Sequence, residues 1–293
     1  MDFEIREMPR TEAEVLQVFD VCRSAFPNIH LDRFRSNWLS SSDLSTFFGA
    51  YSEGRLVAVN GFIAHRILLD GCRRQAFQSC WSATAPDFRG KGLFTKIINH
   101  AKGALAGRAA FIFGFPNHLS GPIFTGKLGF QEVAMARAVF ATRGPRAMLQ
   151  QQLACGRYQD ALSSSSLVKF DQYENAAWKR QEYGPALIEF EHNTNYMWGT
   201  VATRNVGGAE VKVLLVGGCE INKPRLFGEL MRAVGRKGGI SLARIVCSRK
   251  SLLATSARFV LSGSRTEPFI HFPVDVATDR LQFDAYTGLK DVY

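Results

Sequence analysis

The sequence lacks most of the features that announce a specialised class. No apolar run approaches the roughly 18 residues a membrane-spanning helix needs; the best, Phe111-Ile112-Phe113 and Val213 to Val216, are strand-sized. The N-terminus, MDFEIREMPRTEAEV, is charged and has no apolar core of a secretory signal. There is no basic tail and no block of five or six like charges. The six cysteines (Cys22, Cys72, Cys80, Cys155, Cys219 and Cys247) form no CxxC pair and no Cys/His cluster of zinc-ligand spacing. They read as buried, reduced thiols, and no metal is expected. Neither the dinucleotide G-x-G-x-x-G nor the Walker spacing is met. The expectation is a soluble cytoplasmic protein with no membrane partner.

What is present is core-forming material. Of 293 residues, 46% are hydrophobic and 21% charged, which excludes intrinsic disorder and suffices for about two domains of ordinary size. The net charge is +10, and it divides evenly at residue 145, with +5 on either side. A diffuse excess of this kind favours anionic ligands but does not choose nucleic acid over a phosphorylated small molecule.

Along the first half, apolar spacing predicts helices over 12–26 and 31–39. Strands follow at 46–51, 55–69 and 74–84, with Glu53-Gly54 and Asp70-Gly71 as turns. Next come an amphipathic helix from Phe94 to Leu105, a buried strand over 110–115, a short helix over 123–128 and a strand over 130–142. Gly144-Pro145 is the clearest breaker in mid-chain, so the chain divides into units at 1–145 and 146–293. In the second unit, helices are expected over 171–182 and 224–234. Strands are expected over 187–192, 200–204, 211–216, 240–247, 259–261, 269–272 and 281–286.

The segment Arg89-Gly90-Lys91-Gly92 stands between a β-rich stretch and the start of a helix. Glycines at such a junction let successive backbone N–H groups converge, and the helix N-terminus adds about half a positive charge. Arg89 and Lys91 bring further charge. Alone, the motif reads equally as a pyrophosphate cradle or as a surface turn with two solvated cations.

The order of elements around it resembles the GNAT superfamily of acyl-CoA-dependent N-acyltransferases. Arg89 and Gly92 match the first and fourth positions of that family's Gln/Arg-x-x-Gly-x-Gly/Ala segment, and Phe94 replaces the small sixth residue. Asn117, then a short helix and Lys127-Leu128-Gly129-Phe130, fits a later landmark. The resemblance covers residues 5–142. It implies an α/β (α+β) fold, a mixed, mostly antiparallel twisted sheet flanked by helices, followed by a second, degenerate GNAT-like domain. It implies acyl-CoA as co-substrate and no metal. The backbone of Cys80 to Thr84, with Trp81, Ser82 and Ala83 between, would pair with the pantetheine arm. Amides of Arg89, Gly90, Lys91, Gly92, Leu93 and Phe94 would hold the pyrophosphate, and Asn117 and Ser120 would contact pantetheine or thioester.

Many members of the family carry a tyrosine in the short helix, as the acid for the leaving thiolate. Here Phe124 stands there and leaves that role vacant. His118, beside Asn117, is the candidate base for the attacking ammonium, against a plain structural role. Cys80 with His118 is a weaker nucleophile–base pairing, and His65 on an early strand reads as exposed or structural.

In the second half, Asn195-Tyr196-Met197-Trp198 resembles the Y-L-x-W-R signature of two-domain members, with Gly199 where Arg would be. No second RxxGxG follows, so this half is expected to shape the acceptor site rather than bind acyl-CoA. Glu191, His192, Tyr196 and Trp198 are its candidate acceptor residues, alongside Glu189, with a solvated face or a core as the bland alternatives.

The function expected is acyl transfer to a primary amine, that of a nucleotide-linked amino sugar for surface polysaccharide. The alternatives are a peptide, polyamine or antibiotic amine as acceptor, aminoacyl transfer from tRNA, or a non-catalytic acyl-CoA or nucleic-acid binding module. The amino-sugar reading carries no nucleic-acid partner, and the sequence leaves homo-oligomerisation open.

Overall fold

Strand-period alternation and helix caps build the first layer of structure. The computed structural model describes residues 2–39, 41, 43–144, 167–223, 226–249, 260–261, 268–276 and 282–286. The expectations for Cys155, for the serine run at 163–166 and for the first residues of the 224–234 helix lie outside them.

Strand β1 (Glu4–Met8) leads into α1 (Glu12–Arg23), capped by the Thr11 hydroxyl, and α2 (Leu31–Leu39). Strands β2 (Thr46–Ser52), β3 (Arg55–Leu69) and β4 (Cys72–Thr84) form an antiparallel meander. A 3-10 turn (Pro86–Phe88) and the glycine pair lead to α3 (Leu93–Ala104), β5 (Phe111–Gly114) and α4 (Gly121–Gly126). Residues on alternate sides of β3 enter different cores. Phe62 and Ala64 pack with Ile97 and Ile98 of α3, whereas Val59 and Ile63 pack with α1 and with Phe34 and Trp38 of α2.

The single strand expected over 130–142 is two. β6 (Gln131–Val133) stays in the first sheet, and β7 (Met135–Ala141) crosses into a second one. Chain order therefore does not assign strands to sheets. The first sheet, ordered β1-β2-β3-β4-β5-β14-β6, takes β14 (Phe269–Pro273) between β5 and β6. It also takes β8 (Leu167–Phe170), against β3, and β15 (Gln282–Asp284), against β8. The second sheet is β13-β7-β12-β11-β10-β9, from β9 (Leu187–His192), β10 (Asn195–Val206), β11 (Ala209–Glu220), β12 (Leu242–Ser248) and β13 (Val260–Leu261).

Helix α5 (Gln172–Tyr183), capped by Asp171, joins the two sheets. Its Trp178 packs in the α1/α2 core, while Ala176 packs with Tyr196 and Trp198 of β10. Helix α6 (Phe227–Arg236) covers the other core, around Leu214, Ala243 and Ile245. No helix among the described residues is long and apolar enough to cross a membrane.

Candidate active site

β4 and β5 run parallel, but they pair only through Ala76↔Phe111, Phe77↔Ile112 and Gln78↔Phe113. Beyond Gln78 the two strands part. A cleft of about 360 Å³ opens between them, lined by Gln78 to Thr84 on one side and Gly114 to Asn117 on the other, with Phe26, Phe94, Ser120 and Phe124 around it.

The cleft's β4 wall is bent by a bulge. The register against β3 slips between Val59 and Gly61, and Trp81 takes a left-handed conformation with φ of 51°. A bulky residue adopts such a φ only where its surroundings enforce it. Asn60, fully buried, ties the chain on either side of the bulge. Its Nδ2 donates to the Gly61 carbonyl at 2.9 Å and to Ser79 Oγ at 3.1 Å, and its Oδ1 accepts from the hydroxyls of Ser79 and Ser82. The Trp81 ring is clamped edge-on by Phe34 at 4.7 Å and Phe26 at 6.1 Å. A bulge here leaves backbone polar groups of the wall without a β3 partner, which is what an extended ligand needs in order to pair with it.

The glycine-rich segment sits at the cleft's outer end. Gly90 and Gly92 have φ of 77° and 72°, and Gly92 is the residue before α3. Among the described residues no side chain caps this helix, so its first-turn amides lack both an intrahelical and a capping partner. Arg89 folds back, donating from Nε to the Thr84 carbonyl at 3.2 Å and from Nη2 to the Ser24 carbonyl at 3.3 Å, which ties the segment to β4 and α1. Lys91 is exposed, with its ammonium 4.5 Å from the Phe88 ring centre. Leu93 is buried in the core beneath α3. Phe94 lies edge-on to Phe124 at 5.2 Å and lines the cleft, so its ring fills the junction between α3 and α4.

Across the cleft, Asn117 and Ser120 form one turn. Asn117 Oδ1 accepts from the Leu119 and Ser120 amides at 3.0 and 2.9 Å and from Ser120 Oγ at 3.2 Å. These bonds fix the loop before α4, and Asn117 Nδ2 has no partner among the described residues. Phe124 is buried in the core beneath α3, with its ring edge-on to Phe94 and Phe130.

Other residues singled out in the sequence lie off the cleft or turn their reactive atoms away from it. His118 is exposed, makes no hydrogen bond among the described residues and is not on the cleft lining. Cys80 does line the cleft, but its thiol points to the Gly61 carbonyl at 3.7 Å. Among the described lining residues there is no Asp, Glu or His. His65, far from being exposed, is 3% accessible and bonded to Gln78 and Asn175.

Four residues of the second half are engaged in joining α5, α6 and the second sheet. Tyr196 stacks on Tyr173 at 4.0 Å and donates to Glu189 Oε2 at 2.7 Å, and burial raises its pKa. Trp198 is buried and donates from Nε1 to Gln172 Oε1 at 3.2 Å. His192 Nε2 lies 2.6 Å from Glu229 Oε2 on α6, and exposed Glu191 accepts from Tyr173 at 3.4 Å. None of the four lines the cleft. Gly199, where the signature has Arg, is explained locally. A Cβ there would lie 2.2 Å from the Leu215 carbonyl oxygen, at a register slip of β10 against β11.

Two features escaped sequence reading, Asn60 and the Gln78–His65–Asn175 contact. A single Asn inside the apolar run of β3 is the one local sign of the first. Asn175 is 110 residues from His65, so no spacing could have shown the second.

Compared with known families, residues 4–133 match the acetyltransferase (GNAT) domain. Compared by sequence with curated proteins, the chain finds no match. Among solved structures, it resembles a GCN5-related N-acetyltransferase from Kribbella flavida with a TM-score of 0.61 and 13% identity, over 93% of this chain and 72% of that one. It resembles Eis1 from Mycobacterium abscessus with a TM-score of 0.60 and 14% identity, over 94% and 74%. A GCN5-related N-acetyltransferase from Anabaena variabilis gives 0.60 and 10%, over 93% and 73%. At these identities the likeness is one of fold, and it extends across both sheets.

Proposed function

We propose that this protein, whose residues 4–133 match the GNAT acetyltransferase domain, is an acyl-CoA-dependent N-acyltransferase that transfers its acyl group to the primary amine of a nucleotide-linked amino sugar. The observation that carries acyl transfer is the cleft between β4 and β5, with a bulged wall on one side and uncapped amides of α3 at its outer end. A pantetheine arm would lie along Cys80 to Thr84 as an added strand. The pyrophosphate would meet the amides of Gly90 to Phe94, and the thioester would reach inward towards Gln78.

The amine attacks the thioester carbonyl directly, the tetrahedral intermediate collapses, and the thiolate leaves with the electron pair of the C–S bond. With no carboxylate or imidazole on the described cleft lining, the ammonium proton passes to water. His118→Asn is then expected to change kcat/KM by less than about threefold, where a general base contributes 10²–10⁴-fold. A fall of a hundredfold would restore His118 to the mechanism.

The amino-sugar acceptor rests on charge and on the likeness of the RGKGLF and PNxxS layout to such enzymes. A net charge of +10, without an acidic surface run, suits an acceptor that carries its own pyrophosphate and disfavours a polyamine. Thiol release from acetyl-CoA with a panel of dTDP- and UDP-amino sugars, against peptide amines and spermidine, tests it. Turnover confined to peptide or polyamine acceptors would sink the sugar reading. No release with any amine, despite acyl-CoA binding, would favour a binding module.

A further inference from the structure

A buried polar chain ends at the apex of the cleft. Gln78 belongs to the last residue pair joining β4 to β5, so it stands where the cleft begins, and it lines the cleft. Its Oε1 lies 3.1 Å from His65 Nε2, and His65 Nδ1 lies 2.9 Å from Asn175 Oδ1. The three residues are 2%, 3% and 3% accessible.

A neutral imidazole has one N–H, so it cannot donate to two amide oxygens. His65 is neutral, because burial draws its pKa down to about 4, against the opposing pull of its two hydrogen bonds. One amide must therefore present its NH2 to the ring, and heavy-atom positions alone do not distinguish the two ends of an amide. Asn175 Nδ2 is buried and has no partner among the described residues. Turning that amide brings Nδ2–H onto His65 Nδ1 and leaves a carbonyl oxygen unpaired in its place. Turning Gln78 instead would leave Asn175 Nδ2 orphaned where it is fully buried, and such orphan N–H groups are rarer than under-satisfied carbonyls, whereas Gln78 Nε2 is not among the fully buried unpartnered atoms. The chain thus runs Asn175 Nδ2–H to Nδ1, then Nε2–H to Gln78 Oε1. Gln78 Nε2, with two hydrogens, then has no protein partner among the described residues.

We propose that Gln78 Nε2 donates a hydrogen bond to the acyl carbonyl oxygen of the thioester, with His65 and Asn175 as positioning residues that keep its donor end turned into the cleft. The inference rests on the acyl-CoA reading above. When the amine nitrogen bonds to the carbonyl carbon, the C=O π pair moves to oxygen, opposite the fixed N–H. When the C–S bond breaks, that pair re-forms C=O and the thiolate departs with the bonding electrons. Gln78 gains and loses no proton. Its contribution grows with the charge on oxygen, as a preorganised donor's should.

Calorimetric titration of acetyl-CoA and of S-ethyl-CoA, which lacks the carbonyl, separates the inference from its premise. The wild type is expected to bind acetyl-CoA about threefold to tenfold tighter, one neutral hydrogen bond's worth. Gln78→Met is expected to abolish that preference, leave S-ethyl-CoA affinity within about twofold, and lower kcat by about 10²–10³-fold. Gln78→Glu, held by the same His65 N–H, should present an oxygen to the carbonyl and reverse the preference. His65→Leu should weaken the preference, which a merely structural role would not do. Equal affinities in the wild type, or an unchanged preference in Gln78→Met or Gln78→Glu, would overturn the assignment of Gln78. Failure of both ligands to bind the wild type would overturn the acyl-CoA reading and this inference with it.

Discussion

Gly92 carries the most exacting local requirement of the cleft. It holds φ at 72° immediately before α3, and a Cβ added there would meet no atom within 4 Å. The constraint is therefore backbone conformation, not space. Gly92→Val is expected to cost about 1–2 kcal/mol of stability, the penalty of a left-handed L-residue, which denaturant titration would read. If the chain escapes that strain by turning the first-turn amides, acyl-CoA affinity should fall by about tenfold or more. Undiminished affinity in calorimetry would remove the pyrophosphate from this segment. Gly90 and Gly92 were legible in the sequence because a positive φ is a local demand that glycine meets locally. Asn60 and Gln78 were not, since their partners come from neighbouring strands and, for His65, from a helix that follows 110 residues later. A polar residue within an apolar strand signals a buried network without naming its members.

At the scale of elements, helices and strands were read more easily than their partners. The expected 31–39 helix and 55–69 strand have the same bounds in the structure, since a hydrophobic period reports whether an element has a buried face. It does not report which sheet supplies the burial. The 130–142 stretch therefore read as one strand, although it breaks at Ala134 and its halves pair with β14 and β12. The same limit applies to Gly199. A sequence signature sets Arg there, but the slip between β10 and β11 brings the Leu215 carbonyl to within 2.2 Å of any Cβ. Gly199→Arg is expected to destabilise the protein by roughly 2–4 kcal/mol, as overpacking against backbone does when the neighbour cannot yield. Chemical denaturation would show it as a lower midpoint with an unchanged slope. A variant as stable as the wild type would mean the bulge relaxes, and that Gly199 reflects no packing demand.

Across the whole molecule, stability depends on strands that return from the far end of the chain. β14 buries Phe269 and Ile270 in the cores of the first sheet, and β8 buries Val168 and Phe170 beside it. A chain ending at residue 145 would expose β5 and β6 edges and lose these side chains, so we expect it to be insoluble or unfolded by circular dichroism. A folded, acyl-CoA-binding 1–145 fragment would contradict this. Acid should probe the same returning strand. His271 of β14 is 4% accessible, its Nδ1 has no partner among the described residues, and burial lowers its pKa to about 4. Burial brings His65 to a similar value. In the unfolded chain both would titrate near 6.5. Between those values the unfolded state binds more protons than the folded one, so stability falls as the pH drops from about 6.5 to 4. Each histidine contributes a slope of up to about 1.4 kcal/mol per pH unit in that window. His271→Phe removes one such site, and the ring it replaces already lies 4.6 Å from Phe283. Its unfolding free energy, measured by urea titration at pH 7, 6, 5 and 4.5, should therefore decline less steeply than that of the wild type, by up to about 1.4 kcal/mol per unit. Parallel declines would show that His271 takes up its proton in the folded protein, and that the seat of β14 in the first sheet opens to water more readily than its burial implies.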